Sequence, residues 1–186
     1  SFAYPYFTGF ADEKGEGEGT GFNINYPLKE RTTGEEYSRV LGRALVRISR
    51  FNPGFRIVLL GLDTAKGDPT GTWNLTAGDF YRNGMEIGKQ KIPTLFVQEG
   101  GYKNRVLGIN ARNFFQGFYE TFFNGRSSSR YTNPQTGFTS YFLSFEDGAR
   151  LELMQRPDIF GAVSSTEQMG FTHLAMSLGS ETAVDE

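Results

Sequence analysis

The chain has 186 residues, of which 38% are hydrophobic and 15% aromatic, enough for the core of one ordinary domain or two small ones. A formal net charge of -2 excludes a generally basic nucleic-acid binder, and no apolar run reaches the ~20 residues of a membrane span. The absence of cysteine excludes disulfides and thiolate zinc sites. With no recognisable secretion signal, these features predict a cytoplasmic protein that binds neither nucleic acid nor membrane.

The charged residues and the one histidine are unevenly distributed. Residues 1–118 carry 15 Lys and Arg against 12 Asp and Glu, whereas residues 119–186 carry 4 against 9. This asymmetry predicts two units of different origin, residues 1–118 and residues 119–186. The single histidine, His173, lies in the second unit. Because there is only one, no mechanism that needs two imidazoles can be built from one chain.

The first unit contains a capped amphipathic helix followed by a strand. Thr33 and Glu36 have the spacing of a capping box, and the apolar residues after them repeat with a helical period up to the break at Pro53-Gly54. Residues Arg56 to Leu62 then form a short, continuous apolar run. Such a run predicts a strand that is buried on both faces, as is typical of a parallel sheet.

A second helix and a second strand follow in the same order. Thr76 and Asp79 predict another capped helix that runs to about Lys91, and residues Thr94 to Gln98 form a second buried run. The order helix, strand, helix, strand indicates an α/β layer with right-handed crossovers. In open sheets of this type the chemistry lies at the carboxyl ends of the strands.

Those carboxyl ends are Asp63 and the run from Glu99 to Tyr102. The segments YPYFTG, GFNINYPL, LGLDTAKGDPTGTWNLT and EGGY occur in this order and at fitting intervals. Together they resemble the carboxyl-terminal half of the histone deacetylase and acetylpolyamine amidohydrolase superfamily, over about residues 1–118. The resemblance implies a zinc amide hydrolase on an α/β fold. In that family an Asp-x-His pair and a later Asp hold the metal, a tandem His pair moves the proton of the attacking water, and a Tyr donates to the oxyanion.

Position by position, the resemblance assigns Asp63 as the later zinc ligand and Tyr102 as the oxyanion donor. The glycines before Tyr102 allow a close approach of the backbone, and Asp68 is expected to fix a loop rather than to bind metal. The resemblance also places three aromatic residues in the region that lines the substrate channel: Tyr4, Tyr6 and Phe7.

The histidines of this family's site are missing from the matching segment. The Asp-x-His pair and the tandem His pair belong upstream of it, and residues 1–118 contain no histidine. A catalytic zinc site normally needs three protein ligands and a water, so Asp63 alone does not hold the ion. The alternative roles are structural. Asp63 would cap a helix or accept a hydrogen bond from a backbone N–H, and Tyr102 would pack against its neighbours.

The second unit is expected to consist of antiparallel strands. Residues 138–145 alternate between apolar and polar, a turn follows at Glu146-Asp147-Gly148, and residues 149–155 form the returning strand. Residues 171–178 predict a third alternating strand, and Ser180 is a candidate helix N-cap.

The sequences FYETFF, YTNPQTGFTSYFLSFEDGARLELMQRPD and GFTHLAMSLGS resemble the middle of a glyoxalase/bleomycin-resistance (vicinal oxygen chelate) domain, over residues 118–186. The resemblance implies a divalent metal bound by His and Glu, and assigns these ligands to Glu152 and His173. A homodimer formed through exposed strand edges would supply two of each, a set suited to Zn²⁺, Ni²⁺ or Fe²⁺. Otherwise His173 is a strand residue hydrogen-bonded to backbone, and Glu152 is a carboxylate at the rim.

One predicted helix joins the two units. From about Asn104 to Phe123 the aromatic residues recur in two adjacent helical rows, and the pattern crosses residue 118 without a linker or proline. Both rows are expected to be buried. The expected fold is therefore α/β, a partial parallel sheet with helices, joined through a shared helix to a small α+β unit of antiparallel strands.

Three hypotheses for the function follow. The one we favour is a catalytically incompetent chimera or mosaic, built from fragments of the two families; engineered recombination, a natural mosaic and an incomplete record of longer chains all fit it. The second is a zinc-dependent, deacetylase-type amide hydrolase acting on acetyl-lysine or acetylpolyamine through Asp63 and Tyr102. The third is a dimeric glyoxalase- or dioxygenase-like protein that binds a divalent metal through Glu152 and His173.

Overall fold

The computed structural model of the chain describes residues 7–145, 148 and 150–155, without the side chains of residues 153–155. Among the described helices, none combines the length and the apolar content that a bilayer crossing requires. Several predicted features lie outside the described residues: Tyr4, Tyr6, the turn residues Glu146 and Asp147, the strand at 171–178, His173 and Ser180. The elements in chain order are α1 (Gly34–Phe51), β1 (Arg56–Gly61), α2 (Ala77–Gly88), β2 (Thr94–Glu99), α3 (Asn104–Phe122), β3 (Arg126–Ser127), β4 (Tyr131–Thr132), β5 (Thr139–Ser144) and β6 (Arg150–Gln155).

Both predicted capping boxes are present at the helix starts. At α1, Thr33 Oγ1 accepts from the Glu36 N–H at 3.3 Å, and Glu36 Oε2 accepts from the Thr33 N–H at 2.9 Å. At α2, Asp79 Oδ2 accepts from the Thr76 N–H at 2.7 Å. The capping hydrogen bonds satisfy first-turn backbone donors that have no partner within the helix, so two short sequence signals fix where both helices begin.

Helix α2 ends at Gly88 rather than at about Lys91. Lys91 has a φ of 53°, in the left-handed region that ends helices rather than extends them. Its ammonium donates to the carbonyl of Phe122 at 2.7 Å, at the last residue of α3. Lys91 therefore leaves its own helix and places a positive charge at the carboxyl end of the neighbouring one, where it is favourable.

Strands β1 and β2 form a parallel pair in continuous register. Arg56 lies opposite Thr94 at one end, and Gly61 lies opposite Glu99 at the other. This pair and the three helices confirm the α/β class. The register also brings the carboxyl ends of the two strands to the same level, and therefore the two segments that follow them.

Only one face of β1 is buried in the described part of the chain, so the expectation of burial on both faces is wrong. Ile57 and Leu59 are 56% and 64% exposed, whereas Leu60 is buried and Val58 packs against the same core. Successive strand residues point to opposite faces of the sheet. The described helices contribute to the core that contacts the Val58 and Leu60 face, and no described residue buries the other face to the same degree.

Helices α2 and α3 cross with their backbones in contact. A Cβ atom at Gly84 would lie 2.0 Å from the carbonyl oxygen of Phe114, and one at Gly117 would lie 2.1 Å from that of Tyr81. No side chain fits at either position without movement of the backbone. The two glycines therefore set the helix separation that brings the Phe114 ring into the core beneath the sheet.

Helix α3 continues through residue 118 without a break, as predicted. One of its aromatic rows is buried, at Phe114 and Phe118, but Phe115 and Tyr119 of the other row are only half-buried, so the expectation that both rows are buried is wrong. The second row lies nearer the edge of the core, and Tyr119 packs against both described clusters of buried apolar residues. The helix thus carries one continuous aromatic surface from the first unit into the second.

Beyond α3, β5 pairs antiparallel with β6 and with the two-residue strands β3 and β4. Leu143 of β5 is fully buried, and the Phe145 ring meets the Phe123 ring edge-on at 5.9 Å between centroids. The described strands therefore dock on the carboxyl-terminal end of α3 through aromatic contacts.

We predict that Gly84→Ala lowers the free energy of unfolding by about 1–3 kcal/mol, because the new methyl group forces α2 and α3 apart. Gly42→Ala is the matched control: Gly42 lies in α1 with open space around its Cβ position, so alanine there raises stability by up to about 1 kcal/mol. Urea unfolding followed by circular dichroism measures both. Equal effects of the two substitutions would show that the helices do not depend on this contact.

Candidate active site

The two segments that the sequence predicts at the strand ends, around Asp63 and from Glu99 to Tyr102, lie side by side at the carboxyl edge of the parallel pair. The ladder continues one step past the strands, where the Leu62 N–H donates to the Glu99 carbonyl at 3.2 Å. We call residues 62–76 the aspartate loop and residues 100–103 the tyrosine loop. The first loop carries Asp63 and the second carries Tyr102, so the structure brings these two predicted site residues to one edge.

Asp63 sits in a cradle formed by glycines. A Cβ atom at Gly100 would lie 2.8 Å from the Asp63 carboxylate, and one at Gly61 would lie 2.9 Å from Asp63 Oδ1. The side chain is half-buried, and within the described residues its carboxylate makes no hydrogen bond or ion pair. The alternative role for Asp63, as a cap or an acceptor of a backbone N–H, is therefore not seen. A half-buried carboxylate without a partner is one that a cation can stabilise.

The tyrosine loop needs its two glycines. Gly100 and Gly101 have φ values of 57° and 96°. A Cβ atom at Gly101 would also lie 2.6 Å from Leu107 Cδ1 and 2.9 Å from Leu62 Cβ. The loop is therefore pressed against the start of the aspartate loop, which allows Gly100 to contact Asp63.

Tyr102 does not pack into the protein. Its side chain is 57% exposed, and its hydroxyl makes no hydrogen bond to any part of the chain that the structure describes. The alternative role of Tyr102 as a packing residue is therefore wrong. The backbone of Tyr102 is fixed by a hydrogen bond from its N–H to Asp68, and its phenol ring is open to an incoming ligand.

Asp68 fixes its own loop, as the sequence predicts, and it also holds the tyrosine loop. Its Oδ1 accepts from the N–H of Thr70 at 3.0 Å and of Gly71 at 3.3 Å, and its Oδ2 accepts from the N–H of Tyr102 at 2.7 Å and of Lys103 at 3.0 Å. Burial alone raises the pKa of this carboxyl, but these backbone donors and the Thr70 hydroxyl outweigh burial and hold the pKa at about 2. Asp68 is thus a fully partnered anion at neutral pH.

Glu99 is a neighbour of Asp63 that the sequence analysis did not assign. From the Cβ position of Gly61, Glu99 Oε1 is 4.0 Å away and Asp63 Oδ1 is 2.9 Å away. Both residues border a cavity of about 270 Å³ that Asn83 also lines. The signal available in the sequence was the position of Glu99 at the end of a parallel strand. Its approach to Asp63 depends on the pairing register, which the sequence does not display.

The remaining predicted site residues are not brought to this edge. Glu152 lies in β6 of the antiparallel sheet with its side chain half-buried, and Phe7 is exposed. In the parts of the chain that the structure describes, no three His, Asp or Glu side chains are grouped closely enough to hold a metal ion. Of the predicted site residues that the structure describes, Asp63 and Tyr102 are the two that lie at this edge.

These features define an α/β protein in which an aspartate with no partner among the described residues and an exposed tyrosine follow two adjacent parallel strands. The histone deacetylase domain model matches residues 1–118. The chain therefore belongs to the histone deacetylase family. The match ends at residue 118, and the resemblance of residues 118–186 to a vicinal oxygen chelate domain stays a prediction.

Individual relatives agree with this assignment. Acetylpolyamine amidohydrolase 2 of Pseudomonas aeruginosa is 48% identical over 117 residues, which cover 63% of this chain and 34% of the relative. Histone deacetylase 8 of Xenopus tropicalis is 30% identical over 96 residues, which cover 51% of this chain and 26% of the relative. The crystal structure of an acetylpolyamine aminohydrolase from Burkholderia pseudomallei is similar with a TM-score of 0.61 and 39% identity, over 63% of this chain and 34% of that one. The chain spans about a third of the length of the first of these curated relatives and about a quarter of the length of the second.

We predict that Asp68 makes stability depend on pH in the acid range. Its folded-state pKa of about 2 lies below the ordinary value, so its contribution is present above about pH 4 and is lost as the pH falls through about 2. Asp68→Asn should lower the free energy of unfolding by about 2 kcal/mol at about pH 5 and by much less at about pH 2. Urea unfolding of both proteins across this range measures the difference. A difference that does not change with pH would contradict the prediction.

Proposed function

We propose that this chain contributes one part of a zinc-dependent, deacetylase-type amide hydrolase site that acts on acetyl-lysine or an acetylated polyamine. The observation that carries the proposal is the Asp63 carboxylate, which has no partner among the described residues and lies between Gly61 and Gly100 beside the loop of Tyr102. Family membership and the names of the relatives support the reaction class and the two candidate substrates.

The residues present fit such a metal in part. A carboxylate oxygen is a normal zinc ligand, and Asp63 is open to one because nothing among the described residues binds it. A catalytic zinc needs about three protein ligands, and residues 1–118 contain no histidine. We infer that the other ligands come from polypeptide other than residues 1–118. The Pseudomonas aeruginosa relative is about three times as long as the matched segment, which supports this inference.

Each residue has a defined task in this proposal. Zinc bound there would polarise the acetyl carbonyl and lower the pKa of a water molecule. Asp63 supplies one anionic ligand, and its glycine neighbours leave the carboxylate accessible. Tyr102 donates its phenolic proton in a hydrogen bond to the carbonyl oxygen as negative charge develops there. The positive φ of Gly100 and Gly101 brings the backbone of this loop against Asp63.

A fusion protein tests the proposal. The portion of the Pseudomonas aeruginosa relative that precedes its matched segment is joined to the full 186-residue chain, which restores the upstream ligands that the resemblance implies. We expect zinc-dependent release of acetate from an acetylated polyamine or an acetyl-lysine peptide. Tyr102→Phe should lower kcat by about 10²–10³-fold, the usual cost of removing one oxyanion donor. Asp63→Asn should lower the zinc content.

The matched control is Asp12→Asn, which removes an exposed carboxylate far along the chain from the two strands. It should leave kcat and zinc content unchanged. A folded fusion protein that hydrolyses neither substrate, or one whose activity survives both Tyr102→Phe and Asp63→Asn, would contradict the proposal.

The antiparallel sheet supports a second proposal, which concerns the chain by itself. We propose that the isolated chain is hydrolytically inactive and that two copies, joined through strand edges, hold a divalent metal with Glu152 and His173. The support is that β5 and β6 pair where the vicinal oxygen chelate resemblance expects neighbouring strands, with Glu152 opposite Phe142. One Glu and one His from each copy would give four ligands of suitable type.

Metal content and the molar mass in solution, measured by metal analysis and light scattering, test this proposal. We expect a dimer with one zinc, nickel or iron ion per two chains, lost in His173→Ala and weakened in Glu152→Gln. Asp63→Asn serves as the control, and should leave this metal in place. A metal-free protein, or a monomer that keeps its metal in His173→Ala, would exclude the shared site.

A further inference from the structure

We propose that Asp68 is the positioning residue for Tyr102, because its carboxylate ties the tyrosine loop to the aspartate loop and so holds Tyr102 in a fixed relation to Asp63. The catalytic consequence rests on the proposed hydrolase function. The coupling between the loops is a property of the isolated chain and can be measured without activity.

The two oxygens of the Asp68 carboxylate serve different loops. Oδ1 accepts from the Thr70 N–H, the Thr70 hydroxyl and the Gly71 N–H, all in the aspartate loop. Oδ2 accepts from the N–H groups of Tyr102 and Lys103, in the tyrosine loop. A residue that only shaped its own loop would need the first set of donors alone. The second set joins positions 34 and 35 residues apart in the chain.

A second hydrogen bond between the two loops strengthens this link. The Lys103 ammonium donates to the Lys66 carbonyl at 2.9 Å. Gly67 makes the approach possible, because a Cβ atom there would lie 2.9 Å from Lys103 Nζ. The aspartate loop therefore accepts from the tyrosine loop through both a side chain and a backbone carbonyl.

The link reaches Asp63 through Gly100, the first residue of the tyrosine loop. Gly100 contacts the Asp63 carboxylate, and Gly101 contacts Leu62 and Leu107. If the tyrosine loop moves away from Asp68, the Tyr102 backbone and the Gly100 wall of the Asp63 cradle move with it. Asp68 thus sets the separation between the metal ligand and the oxyanion donor of the proposed site.

A carboxylate is required because both sets of partners are donors. An amide of the same size offers one acceptor oxygen and one NH₂ donor. In Asp68→Asn, either orientation of the amide turns a donor toward one of the two sets of donors. This variant therefore keeps the shape of the side chain and removes its ability to join the loops.

Amide hydrogen exchange in the full 186-residue chain tests the coupling. Asp68→Asn should speed exchange at Tyr102 and Lys103 by about tenfold or more relative to Val58 in β1, since one charge-assisted acceptor protects both amides. Asp79→Asn is the matched control: Asp79 is also a buried aspartate, but it caps α2 and accepts from neither the Tyr102 N–H nor the Lys103 N–H, so the ratio should stay unchanged. If Asp68→Asn does not fold, Lys103→Met weakens the same link from the other side and should raise the ratio by less.

Two results of the exchange experiment would overturn the proposal. One is an unchanged ratio at Tyr102 in both Asp68→Asn and Lys103→Met. The other is an equal increase in Thr70→Val, which removes only a donor to Oδ1, because order within the aspartate loop would then explain the effect.

Kinetics of the fusion protein test the catalytic consequence. Asp68→Asn should lower kcat by about tenfold or more with little change in KM, and Asp79→Asn should not. In a Tyr102→Phe background, Asp68→Asn should lower kcat by less than about threefold, because a residue that acts through Tyr102 has nothing left to position. Equal losses in both backgrounds would refute the positioning role. If the unmodified fusion protein is inactive, the hydrolase proposal fails, and the exchange ratios still decide whether Asp68 couples the loops.

Discussion

The parallel pairing of β1 with β2 is the interaction on which the candidate site depends. Its register ends with Gly61 opposite Glu99, so the aspartate loop and the tyrosine loop leave the sheet side by side. Helices α2 and α3 cross closely at Gly84 and Gly117, and this crossing fixes the position of Phe114 against the buried face of the sheet. Packing in the first unit and geometry at the site are therefore consequences of the same two strands.

Local signals in the sequence predicted the elements well, because the forces that form them act over a few residues. The capping boxes at Thr33 and Thr76 give the helix starts, and the aromatic period gives α3 through residue 118. The errors arose where distant parts of the chain decide. The left-handed φ of Lys91 accompanies the hydrogen bond from its ammonium to the end of α3. The exposure of Ile57 depends on which face of the sheet the helices cover. Neither quantity is encoded near the residue concerned.

The candidate site divides in the same way. Asp63 and Tyr102 were assigned by resemblance to a family, and the residues alone predicted only that chemistry would lie at the strand ends. Their structural alternatives were plausible because an aspartate after a strand often accepts backbone hydrogen bonds. Neither the approach of Glu99 to the Asp63 cradle nor the hydrogen bond that the Tyr102 N–H donates to Asp68 could be predicted, because each joins residues more than thirty positions apart.

Three aspartates in residues 1–118 have different surroundings, although their side chains are chemically the same. Asp79 closes a capping box, and Asp68 has both oxygens filled by donors from two loops. Asp63 has no donor within reach among the described residues, although it lies between the loops that Asp68 joins. Both buried aspartates, Asp68 and Asp79, accept from backbone N–H groups, whereas the half-buried Asp63 accepts from none among the described residues. The open Asp63 carboxylate, with glycine on both sides, is therefore the observation on which our proposal of a bound cation rests.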